Sequence, residues 1–160
     1  MGCNGVIFAY MGEVSASSHL PPLFADWFAA RGWRLRTHQA GMIAAAAAGR
    51  HALLVAATGA GKTLAGFLPS LIELSQPIVQ EGPPAPALGE GPTRNGLHTL
   101  YISPLKALAV DVRRNLLTPI EEMALPIRVE TRTGDTPADR KARQKARPPH
   151  ILLTTPESLS

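Results

Sequence analysis

The sequence predicts an α/β fold, a parallel sheet with helices on both faces. Two observations carry this. Nearly continuous apolar runs at 52–57, 97–102, 127–131 and 150–154 alternate with stretches of helical length, and strands covered on both faces read as such runs. The first run, Ala52-Leu53-Leu54-Val55-Ala56-Ala57, breaks into Thr58-Gly59-Ala60-Gly61-Lys62-Thr63 and then into Leu64-Ala65-Gly66-Phe67-Leu68, the start of a helix. Strand, small-residue loop, Lys-Thr and helix is the setting of a phosphate-binding loop. In such a fold the crossovers are right-handed and functional loops lie at the carboxyl ends of the strands. The turns at Thr58, Ser103, Thr133 and Thr155 are therefore expected along one edge of the sheet.

Each residue of the loop has a physical reason. Gly59 and Gly61, with the small Ala60 between them, let backbone N–H groups curl around an anion. Thr58 leads into that curl, and the first helical turn behind it adds unpaired N–H groups and the positive end of its dipole. Lys62 is placed to reach the β- and γ-phosphates of a nucleotide, and the Thr63 hydroxyl to ligate Mg²⁺. Ala56 stands where the strict G-x-x-x-x-G-K-[ST] pattern has its first Gly.

Residues 1–19 read as a loosely ordered extension ahead of one domain, 20–160. Leu23, Phe24, Trp27 and Phe28 recur at helical spacing, and Arg31-Gly32 ends that helix. Thr37 is expected to N-cap an Ala-rich helix from Gln39 to Ala48, stopped by Gly49. The loop helix runs from Lys62 to about Leu74. Residues 77–96 hold five prolines and four glycines and read as a surface loop within the domain. Next come a strand 97–102, a break at Ser103-Pro104, a helix from Leu105 to about Met123, and a strand 127–131. Thr136-Pro137-Ala138-Asp139 has the form of a capping box opening a helix to about Ala146. That helix and its flank carry Arg140, Lys141, Arg143, Lys145 and Arg147 spread around its circumference. They read as a solvated basic face, with electrostatic attraction for nucleic acid as the alternative. A last strand, 150–154, leads into Thr155-Pro156-Glu157-Ser158-Leu159.

With 160 residues, 45% hydrophobic and 18% charged, the chain has the length and composition of one ordinary globular domain. A net charge of +4 permits a nucleic-acid partner without showing one. Cys3 is the only cysteine, which excludes internal disulfides and CxxC metal sites and fits a reducing cytoplasm. The five histidines are scattered, without HExxH spacing. No apolar run is long enough to span a bilayer, and residues 1–18 lack the basic start of a signal peptide.

Taken in order, the turns resemble the first half of the motor of superfamily 2 DEAD/DEXH-box helicases, over residues 20 to 160. Gln39, in Arg34-Leu35-Arg36-Thr37-His38-Gln39, resembles the adenine-reading glutamine of the Q motif. Residues 56–63 are similar to motif I, where Ala in place of the first Gly is usual. Residues 103–108 resemble motif Ia, Thr133-Gly134-Asp135 the next strand-binding turn, and 154–159 the TPE-type turn after it. The wording of 102–116, 132–136 and 152–158 is most similar to the Lhr branch, including the bacterial ligase-associated DEXH-box helicases. The resemblance implies a RecA-like P-loop NTPase fold, here an incomplete first motor domain. It also implies ATP-driven 3′-to-5′ movement on single-stranded DNA, with a role in DNA repair and a ligase or nuclease as a candidate partner. Carried over by position, Gln39 reads adenine, Thr58 to Lys62 hold phosphates, and Thr63 holds Mg²⁺. Pro104, Lys106, Thr133, Gly134, Thr155 and Pro156 then lie along the nucleic-acid backbone, which short polar groups at strand ends can grip without reading bases.

The acidic box that completes such a site, whose Asp orients Mg²⁺ and whose Glu polarises water, does not occur in the sequence; Glu121-Glu122 falls within a helix. The arginine fingers of a second motor domain are absent too. The chain is therefore expected to be a fragment that binds ATP but does not hydrolyse it alone. Two alternatives compete with the helicase reading. One is a non-enzymatic nucleotide- or nucleic-acid-binding module. The other is an unrelated P-loop ATPase or kinase, against which the turns at 103–108 and 154–158 argue.

Overall fold

The computed structural model describes residues 6–8, 20–57, 59–76 and 96–159. They divide into two compact units, Met1–Ile72 and Glu73–Ser160. Thr58 and residues 77–95 fall outside the described set, as does most of the expected N-terminal extension. The exception is β1 (Val6–Phe8), which pairs in parallel with β2 (Ala52–Leu54), Val6 opposite Ala52 and Phe8 opposite Leu54. At those three residues the expected loose extension is a strand.

In the first unit, α1 (Pro22–Ala30) buries Phe24, Trp27 and Phe28, the i, i+3, i+4 face that the sequence shows. It closes through Gly32 N–H to Ala29 O and Trp33 N–H to Phe28 O, with Gly32 at φ +65°. The Arg31 guanidinium stacks over both Trp27 and Trp33, 4.9 and 5.1 Å from the ring centres. The Ala-rich helix α2 (Thr37–Ala47) packs on β1 and β2. Thr37 is not its N-cap. Arg36 occupies that position, and the cap is made from within the helix when Gln39 Oε1 accepts the Arg36 N–H at 2.9 Å. The loop helix α3 (Lys62–Ser75) buries Ala65, Phe67, Leu68, Leu71 and Ile72.

The expected strand 52–57 stops at Leu54, and it is not buried on both sides: Leu53 and Val55 are 58% and 66% exposed. Alternating side chains leave one face of β2 on α2 and the other open among the described residues.

The second unit is a three-stranded parallel sheet in the order β3-β5-β4. Its strands are β3 (Thr99–Ile102), β4 (Val129–Arg132) and β5 (Ile151–Thr154). All four residues of the central β5 are buried, as its unbroken apolar run predicts. The sheet begins at His150, whose Nδ1 accepts the Arg128 N–H at 3.0 Å while its own N–H donates to Arg128 O. Helix α4 (Lys106–Glu122) packs on β4 and β5 and buries Ala109, Val112, Leu116 and Ile120 along one stripe. Ala124, at φ +49°, ends it, with Leu125 N–H on Ile120 O and Ala124 N–H on Glu121 O. Helix α5 (Ala138–Ala146) begins at Pro137. The Thr136 hydroxyl does not cap it; it accepts the Thr133 N–H at 2.9 Å and closes the turn after β4. A single 3₁₀ turn, Pro156–Ser158, follows β5.

Candidate functional site

The loop that the sequence marks for phosphates follows β2. Gly59 and Gly61 take left-handed φ angles of +79° and +74°, a conformation open to glycine and costly for other residues. The first helical bond runs from Ala65 N–H to Gly61 O, so the amides ahead of it have no partner inside α3. Lys62 folds back over the loop. Its ammonium donates to Ala56 O and Ala57 O, both at 2.8 Å. What position 56 supplies is a carbonyl, which alanine offers as well as glycine does, so the departure from the strict pattern costs this contact nothing. Thr63 is half-buried on the first turn.

Gln39 lies beside the loop. Its side chain is 3% exposed, and its Nε2 lies 3.1 Å from where a Cβ on Gly61 would stand. His38 also reaches the loop, a contact the sequence reading missed. Its Nε2 is 2.9 Å from Ala60 O, and since a carbonyl can only accept, the ring nitrogen donates. No local pattern marks a bond across 22 residues; its one signal is that His38 precedes Gln39.

In the second unit the strand ends are level. Ile102 and Arg132 both stand opposite Thr154, which sets the turns after β3, β4 and β5 side by side. Pro104, Lys106, Gly134 and Pro156 are exposed there, and Thr133 is half-buried. Thr155 is 2% exposed, with its hydroxyl 3.3 Å from that of Ser158, and the Thr133 amide is held by Thr136. These two threonines shape their turns, while Lys106 and the prolines form the surface. Lys106 is not a bare cation: its ammonium lies 2.6 Å from Asp135 Oδ2. Glu157 is close enough to feel it. Its own backbone amide and the Thr155 hydroxyl hold its carboxyl below the usual range, and Lys106 lowers it further.

The basic helix α5 is partly engaged from within. Glu130 Oε2 accepts from Gln144 Nε2 at 2.8 Å and faces Arg140 and Arg143 at 3.5 and 3.6 Å. Burial pushes the Glu130 carboxyl up, but the Gln144 bond and the two guanidinium groups outweigh it and leave it lowered. Among the described residues no group of three or more His, Cys, Asp or Glu is arranged to hold a metal ion, and no helix is long and apolar enough to cross a membrane.

Residues 36–160 match the DEAD/DEAH box helicase family. The chain belongs to that family. It is 41% identical over 159 residues to the Lhr helicase/uracil glycosylase of Escherichia coli, an alignment covering 89% of this chain and 10% of that protein. The structure of the Mycobacterium smegmatis helicase Lhr bound to ssDNA and AMP-PNP superposes with a TM-score of 0.72 at 37% identity, over 91% of this chain and 18% of that one. The DUF1998 helicase MrfA bound to DNA and AMPPNP gives a TM-score of 0.70 at 27% identity, over 89% and 18%. The chain thus spans a tenth of the length of the Escherichia coli relative. The Lhr relatives agree with the branch to which the turn wording pointed, and the structural matches with a RecA-like core.

Proposed function

We propose that this chain is the nucleotide-binding front of the first motor domain of an ATP-dependent DNA helicase of Lhr type. The observation that carries the reading is the loop 59–63, with two left-handed glycines and Lys62 poised over them on the carbonyls of Ala56 and Ala57. Gly59 to Lys62 hold the phosphates, with Thr58 ahead of them, and Gln39 takes the adenine edge. Thr63 is the one side chain on the first turn of α3 fit to ligate Mg²⁺. A single hydroxyl suffices for an ion that arrives with the nucleotide, because Mg²⁺ keeps several waters and phosphate oxygens of its own. ATP hydrolysis supplies the energy for movement along the strand.

The level turns of the second unit present Pro104, Lys106, Gly134 and Pro156 to the backbone of single-stranded or partly duplex DNA, with Thr133 and Thr155 bracing the turns behind them. None is suited to reading bases, as a translocating motor requires. A cytoplasmic setting, a role in DNA repair and a ligase or nuclease partner follow from the resemblance to the Lhr branch.

Titration calorimetry of ATP with Mg²⁺ tests the reading. The wild-type chain binds and Lys62→Ala loses most of the affinity, because the cation aimed at the phosphates is gone. Equal affinity in the two proteins would sink the assignment. The purified chain is expected to release phosphate no faster than background, and nucleic-acid-stimulated turnover would refute that expectation.

A further inference from the structure

The dipeptide His38–Gln39 lies in the first turn of α2 and meets the loop at two successive residues, Ala60 and Gly61. Both side chains are buried, at 8% and 3% exposure. Their contacts differ in kind. Gln39 approaches Gly61 with an amide that can also face a base, whereas His38 donates to the backbone oxygen of Ala60 and has its functional nitrogen committed to the loop.

That commitment has a geometric consequence. The carbonyl of Ala60 and the N–H of Gly61 belong to one planar trans peptide and point in opposite directions. Holding the Ala60 oxygen against His38 therefore aims the Gly61 N–H away from α2. Glycine by its nature does not select this orientation, since it tolerates the φ on either side of a peptide flip. Without a fixed partner on that carbonyl, the amide would be distributed between two directions, and only one of them can donate to a given anion.

We propose that His38 is a positioning residue for phosphate binding, acting through the Ala60–Gly61 peptide and therefore equally on every nucleoside triphosphate, in contrast to Gln39, which serves adenine alone. The proposal rests on the nucleotide-binding reading above and adds a division of labour between adjacent residues.

The test measures binding of ATP, GTP and inorganic tripolyphosphate to the 160-residue chain by calorimetry, with thermal midpoints recorded alongside. His38→Leu is expected to weaken all three ligands by the same factor. That factor is about fivefold, the equivalent of one neutral hydrogen bond of about 1 kcal/mol. His38→Gln carries an amide that can donate to the same carbonyl and is expected to restore most of the affinity. Gln39→Leu is expected to weaken ATP and leave tripolyphosphate unchanged. A merely structural role for His38 would lower the thermal midpoint in both His38 variants without the rescue. His38→Leu affinities within twofold of wild type, a loss confined to ATP, or failure of His38→Gln to recover binding in a folded protein would each overturn the proposal. Should His38→Leu not fold, His38→Gln decides, since wild-type-like binding to all three ligands is required of it. A wild-type chain that binds none of the three would overturn the nucleotide-binding reading and this inference together. Binding that is indifferent to His38 overturns the inference alone.

Discussion

Replacing each loop glycine by alanine separates two effects that the structure keeps distinct. Gly59 and Gly61 have almost the same φ, +79° and +74°, so either substitution forces an L residue into the left-handed region at about 1–2 kcal/mol. If the loop must keep that shape to hold phosphates, the ATP dissociation constant rises about five- to thirtyfold in both variants. Gly61→Ala carries a further penalty. Its new Cβ would sit 3.1 Å from Gln39 Nε2, whereas nothing lies within 4 Å of a Cβ at Gly59. Gln39 must then give by a few tenths of an ångström, which moves the amide proposed to face the base, and a hydrogen bond to the base is worth about 0.5–1.5 kcal/mol. Gly61→Ala should therefore bind ATP up to about tenfold more weakly than Gly59→Ala. With inorganic tripolyphosphate, which presents no base, the two variants should match. Calorimetry with both ligands decides, with circular dichroism melting as the folding control. Equal ATP losses in the two variants would refute the contact between Gln39 and the loop, and wild-type affinity in both would refute the strained loop.

Three other outcomes are expected. Asp135→Asn releases Lys106 from its 2.6 Å ion pair, so single-stranded DNA should bind more tightly and the slope of log K against log salt should steepen by about 0.7; Lys106→Gln should weaken binding alike for every sequence in the same fluorescence titration. Glu130, held below its usual 4.5 by Gln144, Arg143 and Arg140 against the upward push of burial, adds stability that is present above the unfolded value and is lost as pH falls through the lower folded one. Urea midpoints should drop on acidification below about 4.5, and less steeply in Glu130→Gln, whose failure to flatten the profile would discount the cluster. Ala124→Gly should stabilise the chain by about 0.5–1 kcal/mol, because it removes left-handed strain and gives back part of the gain as backbone entropy. Helices α1 and α2 already end in the same pair of bonds with Gly32 and Gly49 in that place, and a lower urea midpoint would count against the assignment.

The strand, loop and helix around 59–63 were legible because their information is local: two glycines, a lysine and a threonine at fixed spacing between an apolar run and a helix. The three strands of the second unit were legible for a similar reason, as apolar runs of strand length, although only β5 is buried throughout and Leu100 and Ile102 of β3 are exposed. Helix α4 was readable through Pro119 because Val112, Leu116 and Ile120 keep their stripe on the core. What could not be read is side-chain pairing at a distance. His38 with Ala60, Lys106 with Asp135 and Glu130 with Gln144 join residues 22, 29 and 14 positions apart, and spacing carries no signature of such pairs. Capping failed for a different reason. Thr37 and Thr136 are good cap residues, but Arg36 takes the N-cap position of α2 with Gln39 closing on its N–H, and the Thr136 hydroxyl accepts from Thr133 instead; propensity yields to such contacts. The expectation that β2 would be buried treated its apolar residues as evidence of two covered faces, which an exposed Leu53 and Val55 contradict.

On the nucleotide-binding function proposed above, the fold-back of Lys62 onto Ala56 and Ala57 changes what an arriving phosphate has to do. A lysine held by nothing would give up as much as about 2 kcal/mol of rotamer freedom on capture. In this chain much of that ordering is complete before any ligand arrives. Capture becomes an exchange in which the ammonium trades two neutral carbonyl oxygens for anionic ones, with little new immobilisation. The driving force is then the difference between an ammonium on two neutral oxygens and an ammonium paired with anionic ones, and it grows with the charge the ligand presents. Such a resting position sets a threshold. A weakly charged anion gains little by displacing the carbonyls, and a polyphosphate gains enough to open the latch.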